Sequence, residues 1–529
     1  MPVRVSVIVA MRNCGGQVRE CLDSLRRQTL RDFEVLCVDG GSTDDTAAVC
    51  LEYAARDPRV KILRLGRCTR EAMCRVGKFN ASGDLVFYLD SGRTLEPEFL
   101  EAFVSRPHPP PPRPPLWRRA LRKARVLLKK LKSRVAARLR RRKPVALPPT
   151  PPATLAPPDG ADKSVKIVNP DRCTGCGACA NKCPKDALAM EPSPEGFLFP
   201  KVKDGCINCG LCLKACPCVN PPPLHPVPRA YAAMADDATR AVSSSGGMVS
   251  LLARDVFAQG GSVYGATWAD GRWSRVVFVR ATDEAGLSRI RGSKYLQSEI
   301  AFAYRDAKKD LDAGMPVLFT GCPCQIAGLY SFLGRDYENL LTADIVCHGA
   351  NPATAWNVFL KEYAAGRKLT GVNFRDKRPF GWATPAVIYT EEGTVAVPAG
   401  ASAWYYAFLK GVMSRECCYT CRYAGIERVG DISLGDCWGC TQIASALSDG
   451  KGTSLVLPNT QRGEAAMARI REAMLLWRAV PLMEARRKNG QLIRPTRKSP
   501  GRETFFRELD RSGFHIAVAK AIESKEELR

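Results

Sequence analysis

Between residues 173 and 217 the chain repeats one cysteine phrase, Cys173-x2-Cys176-x2-Cys179-x3-Cys183-Pro184 and then Cys206-x2-Cys209-x2-Cys212-x3-Cys216-Pro217. No other feature restricts the fold as much, because eight thiols at this spacing call for soft metal centres around which the backbone closes. Three thiolates two residues apart wrap one Fe4S4 cube, while the fourth, followed by proline, turns away toward the other cube. Spacing therefore assigns Cys173, Cys176, Cys179 and Cys216 to one [4Fe-4S] cluster, and Cys206, Cys209, Cys212 and Cys183 to a second. The small residues Gly175, Gly177, Ala178, Gly210 and Ala215 let the backbone close in and aim amides at the sulfurs, which tunes a reduction potential. Zinc and disulfides compete for Cys-x2-Cys pairs, but two complete four-cysteine runs with Cys-Pro ends weigh toward iron and sulfide.

Over about residues 163 to 220 this pattern resembles the bacterial two-cluster ferredoxin module, which implies a small βαββαβ unit. A chain of 529 residues is too long for one core and implies about three or four domains. Its 23 cysteines would indicate a secreted scaffold only in a short chain with a leader, and MPVRVSVIVAMRN has too brief an apolar run for one. A reducing cytoplasm is the expected compartment, and no run of about 18 apolar residues predicts a membrane-spanning helix.

The net charge of +26 is concentrated. Between Leu116 and Lys143 stand fourteen Lys or Arg and no Asp or Glu, with Trp117, Leu121, Ala124, Leu128, Leu131, Val135 and Leu139 recurring at steps of three and four. That spacing predicts one apolar helical stripe against a basic surface, bracketed by proline-rich stretches at 107–115 and 144–158. Two readings stand side by side: a helix lying on an anionic membrane surface, which would place the protein peripherally at the inner face, and a solvated linker helix. Nucleic acid is not an expected partner, since no aromatic platform or known module accompanies the charge.

The first hundred residues alternate strand and helix as a parallel sheet does: VSVIVAM, a helix from about Gln17, FEVLCVD, a helix from about Thr43, VKILRL, then LVFYLD. Asp39 and Asp90 close two of these strands, where acids point into a ligand crevice; capping and turn formation are their ordinary alternative roles. Over residues 3 to 105, VSVIVAMRN, CLDSLRRQTLRDFEVLCVDGGSTDDT and ASGDLVFYLDSGRTLEPEFLEAFV resemble the amino half of a family 2 inverting glycosyltransferase, implying a partial GT-A (Rossmann-like) nucleotide-binding layer. The resemblance implies that Asp39 contacts the nucleotide of a sugar donor and that Asp90 stands at the metal-binding position. The second metal-side acid falls at Gly92, beside Arg93, and the chain enters the proline-rich segment where an acceptor-binding half would follow. A hard cation needs several oxygen donors, so sugar transfer is read as unlikely and a docking or nucleotide-sensing role is expected.

Beyond about Arg229 a large α/β region carries GCPCQIAGL (321–329), DIVCHG (344–349) and RECCYTCRY…GDISLGDCWG (415–439). Cys418-x2-Cys421 is a ligand pair on a turn, and Cys324 and Cys347 follow apolar strands whose ends can converge on it; ordinary buried thiols are the competing reading. With SSSGGMVSLLA (243–253) and RGSKYLQSE (291–299), this ordered set resembles the coenzyme F420-reducing hydrogenase/dehydrogenase beta-subunit family over roughly residues 160 to 510. The resemblance implies FAD beside a third [4Fe-4S] cluster. It places Ser245, Gly246 and Gly247 near the flavin phosphates, Gly292, Ser293, Lys294 and Tyr295 on another wall with Lys294 as the charge facing isoalloxazine or substrate, and Cys324, Cys347, Cys418 and Cys421 on the third cluster. Loop and turn roles are the alternatives for these glycines and serines, and His348 is left out of catalysis as a structural residue. The absence of GxGxxG after a strand argues against a nicotinamide site.

The expected organisation is 1–105 glycosyltransferase-like, 106–160 linker, 161–220 ferredoxin-type and 228–510 beta-subunit-like, in a multidomain α/β and α+β chain. The expected function is an iron–sulfur flavoprotein oxidoreductase relaying electrons between [4Fe-4S] clusters and FAD. Its partners would be a redox protein such as ferredoxin or a hydrogenase/dehydrogenase subunit, and a small-molecule hydride acceptor or donor, either like coenzyme F420 or an intermediate of surface polysaccharide synthesis. A glycosyltransferase with an attached redox module and a non-enzymatic electron-transfer scaffold are the alternatives.

Overall fold

The computed structural model describes residues 4–64, parts of 70–83, and 85–105, 162–364, 366–377, 382, 386–391, 393–396, 403–439 and 449–523. The basic helix expected over 116–143 lies outside the described residues. Among those described, no helix is long and apolar enough to cross a membrane.

At the amino end β1 (Val5–Met11), β2 (Phe33–Asp39), β3 (Val60–Arg64) and β4 (Leu85–Asp90) form a parallel sheet in the order β3-β2-β1-β4. Every residue of β2 is buried, as a strand covered on both faces requires. Helices Gly15–Arg26 and Thr46–Arg56 supply part of that cover. In register, Met11 stands opposite Asp39 on one side and Ala10 opposite Asp90 on the other, so the two acids flank the carboxyl end of β1.

The cysteine-repeat region is leaner than βαββαβ. Its two strands, β5 (Leu188–Pro192) and β6 (Leu198–Val202), pair antiparallel, and short helices at Ala178–Lys182 and Leu211–Lys214 follow the ligand loops. An outer strand is replaced by a 3-10 turn at Val165–Ile167, and the chain after Cys216 is irregular. Backbone wrapped around cysteine loops has few groups left for a ladder.

The remainder is organised by a nine-stranded sheet. Its strands are β7 (Ala230–Ala235), β8 (Ser262–Trp268), β9 (Val276–Ala281), β10 (Ser298–Glu299), β11 (Val317–Gly321), β12 (Leu340–Ile345), β16 (Ile432–Asp436), β17 (Ser454–Pro458) and β18 (Met474–Val480). A smaller sheet, β13 (Leu369–Asn373), β14 (Val387–Thr390) and β15 (Gly393–Ala396), lies between β12 and β16 in sequence. The large sheet runs β10-β9-β8-β11-β12-β16-β17-β7-β18, and β8, β11, β12 and β16 are parallel neighbours. Adjacent parallel strands end on the same edge, so Cys322 and Cys324 after β11, Cys347 after β12 and Trp438 after β16 share one rim. The expected boundary at 510 falls short: Phe514, Ala517 and Val518 of helix Phe514–Glu523 pack with Trp356, Phe359 and Trp404 in one core.

Candidate functional site: three thiol clusters and a double cavity

The repeated cysteines meet as their spacing requires. Cys183, Cys206, Cys209 and Cys212 line one hollow, and Cys173, Cys176, Cys179 and Cys216 line another. Each set contains only thiols at its heart, the donor chemistry that an iron–sulfur cube takes. Among the described residues no three His, Cys, Asp or Glu side chains stand close enough to share a single metal ion. Gly175, at φ +67°, shows why the loop is glycine-rich: a Cβ there would lie 2.2 Å from Gln297 Nε2 and 2.9 Å from the Leu198 carbonyl. Cys206 and Cys209 are exposed, whereas Cys176 and Cys179 are buried. Burial pushes the Cys176 thiol up to about 12, a penalty that metal binding by thiolate removes. Spacing did not single out Cys218, which lines the second hollow as a fifth thiol. Contact with Cys216 draws Cys218 down to about 7.

The third set assembles from the start of helix Pro323–Leu333, the loop after β12 and the 3-10 turn at Glu416–Thr420. Cys322 and Cys347 sulfurs are 3.7 Å apart, and Cys324 feels the charges of Cys347, Cys421 and Cys418. Backbone amides of Gly349 and Ala350 donate to Cys347 and Cys418 sulfurs at 3.4 Å each. Contact with Cys322 lowers the Cys347 thiol, and contact with Cys417 lowers Cys418. So Cys324, Cys347, Cys418 and Cys421 lie together, with Cys322 and Cys417 as neighbours. Cys437 is disulfide-bonded.

This third set adjoins the Cys173 set. A Cβ on Gly328, in helix Pro323–Leu333, would stand 3.0 Å from the Cys176 sulfur, so its hydrogen lets the Cys324-bearing helix come close. Tyr304 and Tyr423 both feel the charges of Cys176 and Cys324. The thiols thus run from the exposed Cys206 loop inward to the rim of the large sheet.

At that rim two cavities share walls. One, of about 310 Å³, is lined by Ser245, Gly247, Gly292, Ser293, Lys294 and Tyr295; the other, of about 510 Å³, by Cys322, Cys324, Cys347, His348, Trp438 and Gln491. Lys294, Tyr295, Cys322, Arg375 and Asp436 belong to both. Together they have the size of a site for a dinucleotide-sized cofactor and a small substrate. Gly247, at φ +88°, caps helix Met248–Ala258, whose first residues line the same cavity as Ser243–Ser245. Ser293 N and Oγ hold Ser244 Oγ at 2.8 and 3.0 Å, joining the two predicted loops. Gly246 does not line the cavity; its amide donates to Ser454 Oγ at 2.9 Å and ties the loop to the sheet.

Lys294 departs from the charge-facing-substrate role. Its Nζ donates to the carbonyls of Ala266, Ile290 and Arg291 at 2.9, 2.7 and 2.8 Å, closing the end of helix Glu284–Ile290. Burial pushes Lys294 down to about 7, and the carbonyl oxygens oppose that by favouring the ammonium. A second cation in the shared wall is Arg375, whose Nη1 reaches Asp436 Oδ2 at 2.7 Å and Tyr295 Oη at 3.3 Å. Trp438, 38% exposed, stacks on Trp382 with centroids 5.1 Å apart and lies under the Arg375 guanidinium. Sequence reading missed Arg375 and Asp436; their only signal was charge at the end of otherwise apolar strands. His348 is held on both ring nitrogens, by Leu409 O at 3.3 Å and Gln491 Nε2 at 2.7 Å.

In the amino-terminal sheet Asp39 Oδ1 accepts from Ser42 N at 2.9 Å and Ser42 Oγ at 2.5 Å, while half-exposed Asp90 pairs with Arg70. Asn13, at φ +50°, accepts from Thr43 N at 2.8 Å and brings the β1 and β2 turns together.

Three segments match known families: residues 6–110 glycosyl transferase family 2, residues 166–189 the 4Fe-4S binding domain, and residues 314–480 the C terminus of the coenzyme F420 hydrogenase/dehydrogenase beta subunit. Similar curated proteins include glycosyltransferase GlyA of Streptococcus pneumoniae, 30% identical over 20% of this chain and 15% of its own length. Chondroitin synthase of Escherichia coli is 34% identical over 18% of this chain and 14% of its own. The chain thus spans well under a third of these relatives. Among solved structures, a chain of the F420-reducing [NiFe] hydrogenase complex from Methanosarcina barkeri is 18% identical, with 57% of this chain and 89% of that chain covered at TM-score 0.35.

The chain therefore carries iron–sulfur oxidoreductase-like segments together with a glycosyltransferase-like one. The expectation that sugar transfer is unlikely is corrected by the family 2 match and by relatives 30 to 34% identical that are themselves named glycosyltransferase or chondroitin synthase. That expectation leaned on the acid missing at Gly92 and on the proline-rich segment standing where an acceptor-binding half would follow, whereas Asp39 and Asp90 still flank the open end of β1.

Proposed function

We propose that the chain is an iron–sulfur flavoprotein oxidoreductase joined to a glycosyltransferase module. The observation that carries the oxidoreductase reading is the line of thiols from exposed Cys206 and Cys209, through buried Cys176, to Cys324 and Cys322 in the wall of the double cavity. Two [4Fe-4S] clusters would be held by the repeated phrase, a third by Cys324, Cys347, Cys418 and Cys421, and FAD by the Ser243–Gly247 and Gly292–Tyr295 loops. When bound, the clusters carry single electrons and the flavin converts them to hydride chemistry. The residues' own work is to bind and orient: Gly247 opens helix amides toward a phosphate, Lys294 locks the loop after Ile290, and Arg375 with Asp436 and Tyr295 sets charge at the shared wall. A redox protein would dock at the exposed Cys206 loop, and a small hydride donor or acceptor would enter the cavity beside Trp438.

The glycosyltransferase reading rests on Asp39 and Asp90 at the carboxyl ends of the strands beside β1, where a nucleotide sugar would lie. We place this module at 1–105, the linker at 106–160, the ferredoxin-type unit at 161–220 and the redox body from 228 to Glu523. Proximity to an anionic membrane would come through 116–143.

Anaerobic purification with iron, sulfide and flavin counted on one sample tests the redox reading. About twelve irons and one FAD per chain are expected; about eight irons without flavin would leave an electron-transfer scaffold. Turnover of UDP-sugars with a divalent cation, lost in Asp39→Ala, tests the second module.

A further inference from the structure

We propose that Arg415 is a buried counter-cation shared by the Cys173 and Cys418 sites, and that it raises the reduction potentials of both. This rests on the reading that each site holds a [4Fe-4S] cluster. Arg415 is 1% exposed. Its Nε donates to the Cys173 carbonyl at 2.7 Å, its Nη1 to Leu198 O at 3.0 Å and Gln297 Oε1 at 3.3 Å, and its guanidinium lies 3.9 Å from the Phe199 ring centroid. Nη2 is buried without a hydrogen-bond partner. The backbone of the same residue belongs to the other site: Arg415 O accepts from Cys418 N at 2.9 Å, and Arg415 N donates to Ala350 O, whose own amide donates to the Cys418 sulfur.

A buried cation needs an anion, since taking it out of water is otherwise strongly unfavourable. The other deeply buried arginines have one: Arg428 has Asp344, Arg240 has Asp449, Arg375 has Asp436 and Arg502 has Glu195. Among the described residues no carboxylate lies within ion-pair distance of Arg415. The ionisable side chains that feel its positive charge are thiols, those of Cys173, Cys218, Cys417 and Cys418. A four-thiolate cube is anionic and becomes more so on reduction, so a cation held in low dielectric between two cubes favours the reduced form of each. Cys206 and Cys209, exposed to water, provide an internal control within the same chain.

Arg415→Gln keeps donors for the carbonyls and removes the charge; Arg415→Lys keeps the charge and removes the planar fork. EPR-monitored potentiometry is run on the full chain purified anaerobically, with iron and sulfide counted on the same samples. Arg415→Gln is expected to shift the reduction equilibria of the Cys173 and Cys418 clusters about tenfold toward the oxidised form, about 59 mV for one electron. The Cys206 cluster should shift less than about twofold, and Arg415→Lys should stay within about threefold of the parent at all three. Fully loaded Arg415→Gln with unchanged potentials, or an equal shift at all three clusters, overturns the proposal. Should Arg415→Gln fail to load, Arg415→Lys decides: loading with near-parental potentials supports a charge role, while failure or a tenfold shift overturns it. About eight irons in the parent would also overturn it, and the iron count identifies that failure as one of the cluster reading.

Discussion

The repeated cysteine phrase and the third thiol set gather their cysteines by opposite routes. Cys173 to Cys216 lie within one short stretch on two loops, whose own sheet is a two-stranded ladder. Cys324, Cys347, Cys418 and Cys421 come from a helix start, a loop and a 3-10 turn far apart in sequence, brought together because β11 and β12 are parallel neighbours and β16 follows β12 in the sheet. Local spacing brings the first set together, while Gln297, Gly328 and Arg415 of the large domain pack against it; the second exists only as long as the sheet does.

The largest break in this contrast should come from Arg428→Met. Arg428, 1% exposed, pairs with Asp344 and also donates to Ser433 Oγ at 2.9 Å and Tyr423 O at 3.1 Å, tying the β12 end to the Cys421 loop. Losing one partner of such a buried pair costs about 3–5 kcal/mol. Denaturant unfolding should show that loss, and iron analysis should show depletion of the third site while the ferredoxin-type signal persists. Gly328→Val comes next. Its side chain would meet the Cys176 sulfur and Tyr304 Oη, 2.7 Å from the first added carbon, for about 1–3 kcal/mol. Stopped-flow reduction should show slower transfer past Cys176 with the Cys206 signal unchanged.

A smaller effect sharpens the local side of the comparison. Cys218 contacts Cys216 and lines the same hollow, so Cys216→Ser should retain iron at that site while Cys216→Ser with Cys218→Ser loses it, as read by EPR and iron content. The smallest concerns pH. Glu284 is lowered to about 2, first by its hydrogen bond from Arg254 and also by Arg291, which follows it to the cavity loop. A depressed carboxylate contributes fully above its unfolded pKa near 4.5 and loses that contribution as pH falls toward 2. Thermal melts of Glu284→Gln should therefore differ from the parent at neutral pH and converge with it toward pH 2.

Much of the amino-terminal sheet was legible, because VSVIVAM, FEVLCVD and LVFYLD are apolar runs of strand length closed by acids or turns. The partners of the repeated cysteines were legible for the same local reason. Lys294 stands in the cavity wall, but its hold on four carbonyl oxygens was not legible because backbone partners leave no side-chain pattern. Arg375 and Asp436 were missed because they are 61 residues apart and meet only across folded elements. Arg415 was passed over as one more charge beside Cys417 and Cys418.

By itself the sequence determined the 4Fe-4S-binding character of the first cysteine run, the grouping of the repeated cysteines and the parallel character of the first sheet. In both, the interacting groups repeat at short, regular intervals. Only the tertiary structure decided that Cys324, Cys347, Cys418 and Cys421 lie together, that Gly328 lets them approach Cys176, and that Arg415 touches both sets with no carboxylate within ion-pair distance among the described residues. Those facts depend on strand order and on burial, where the worth of a charge is set by what packs around it.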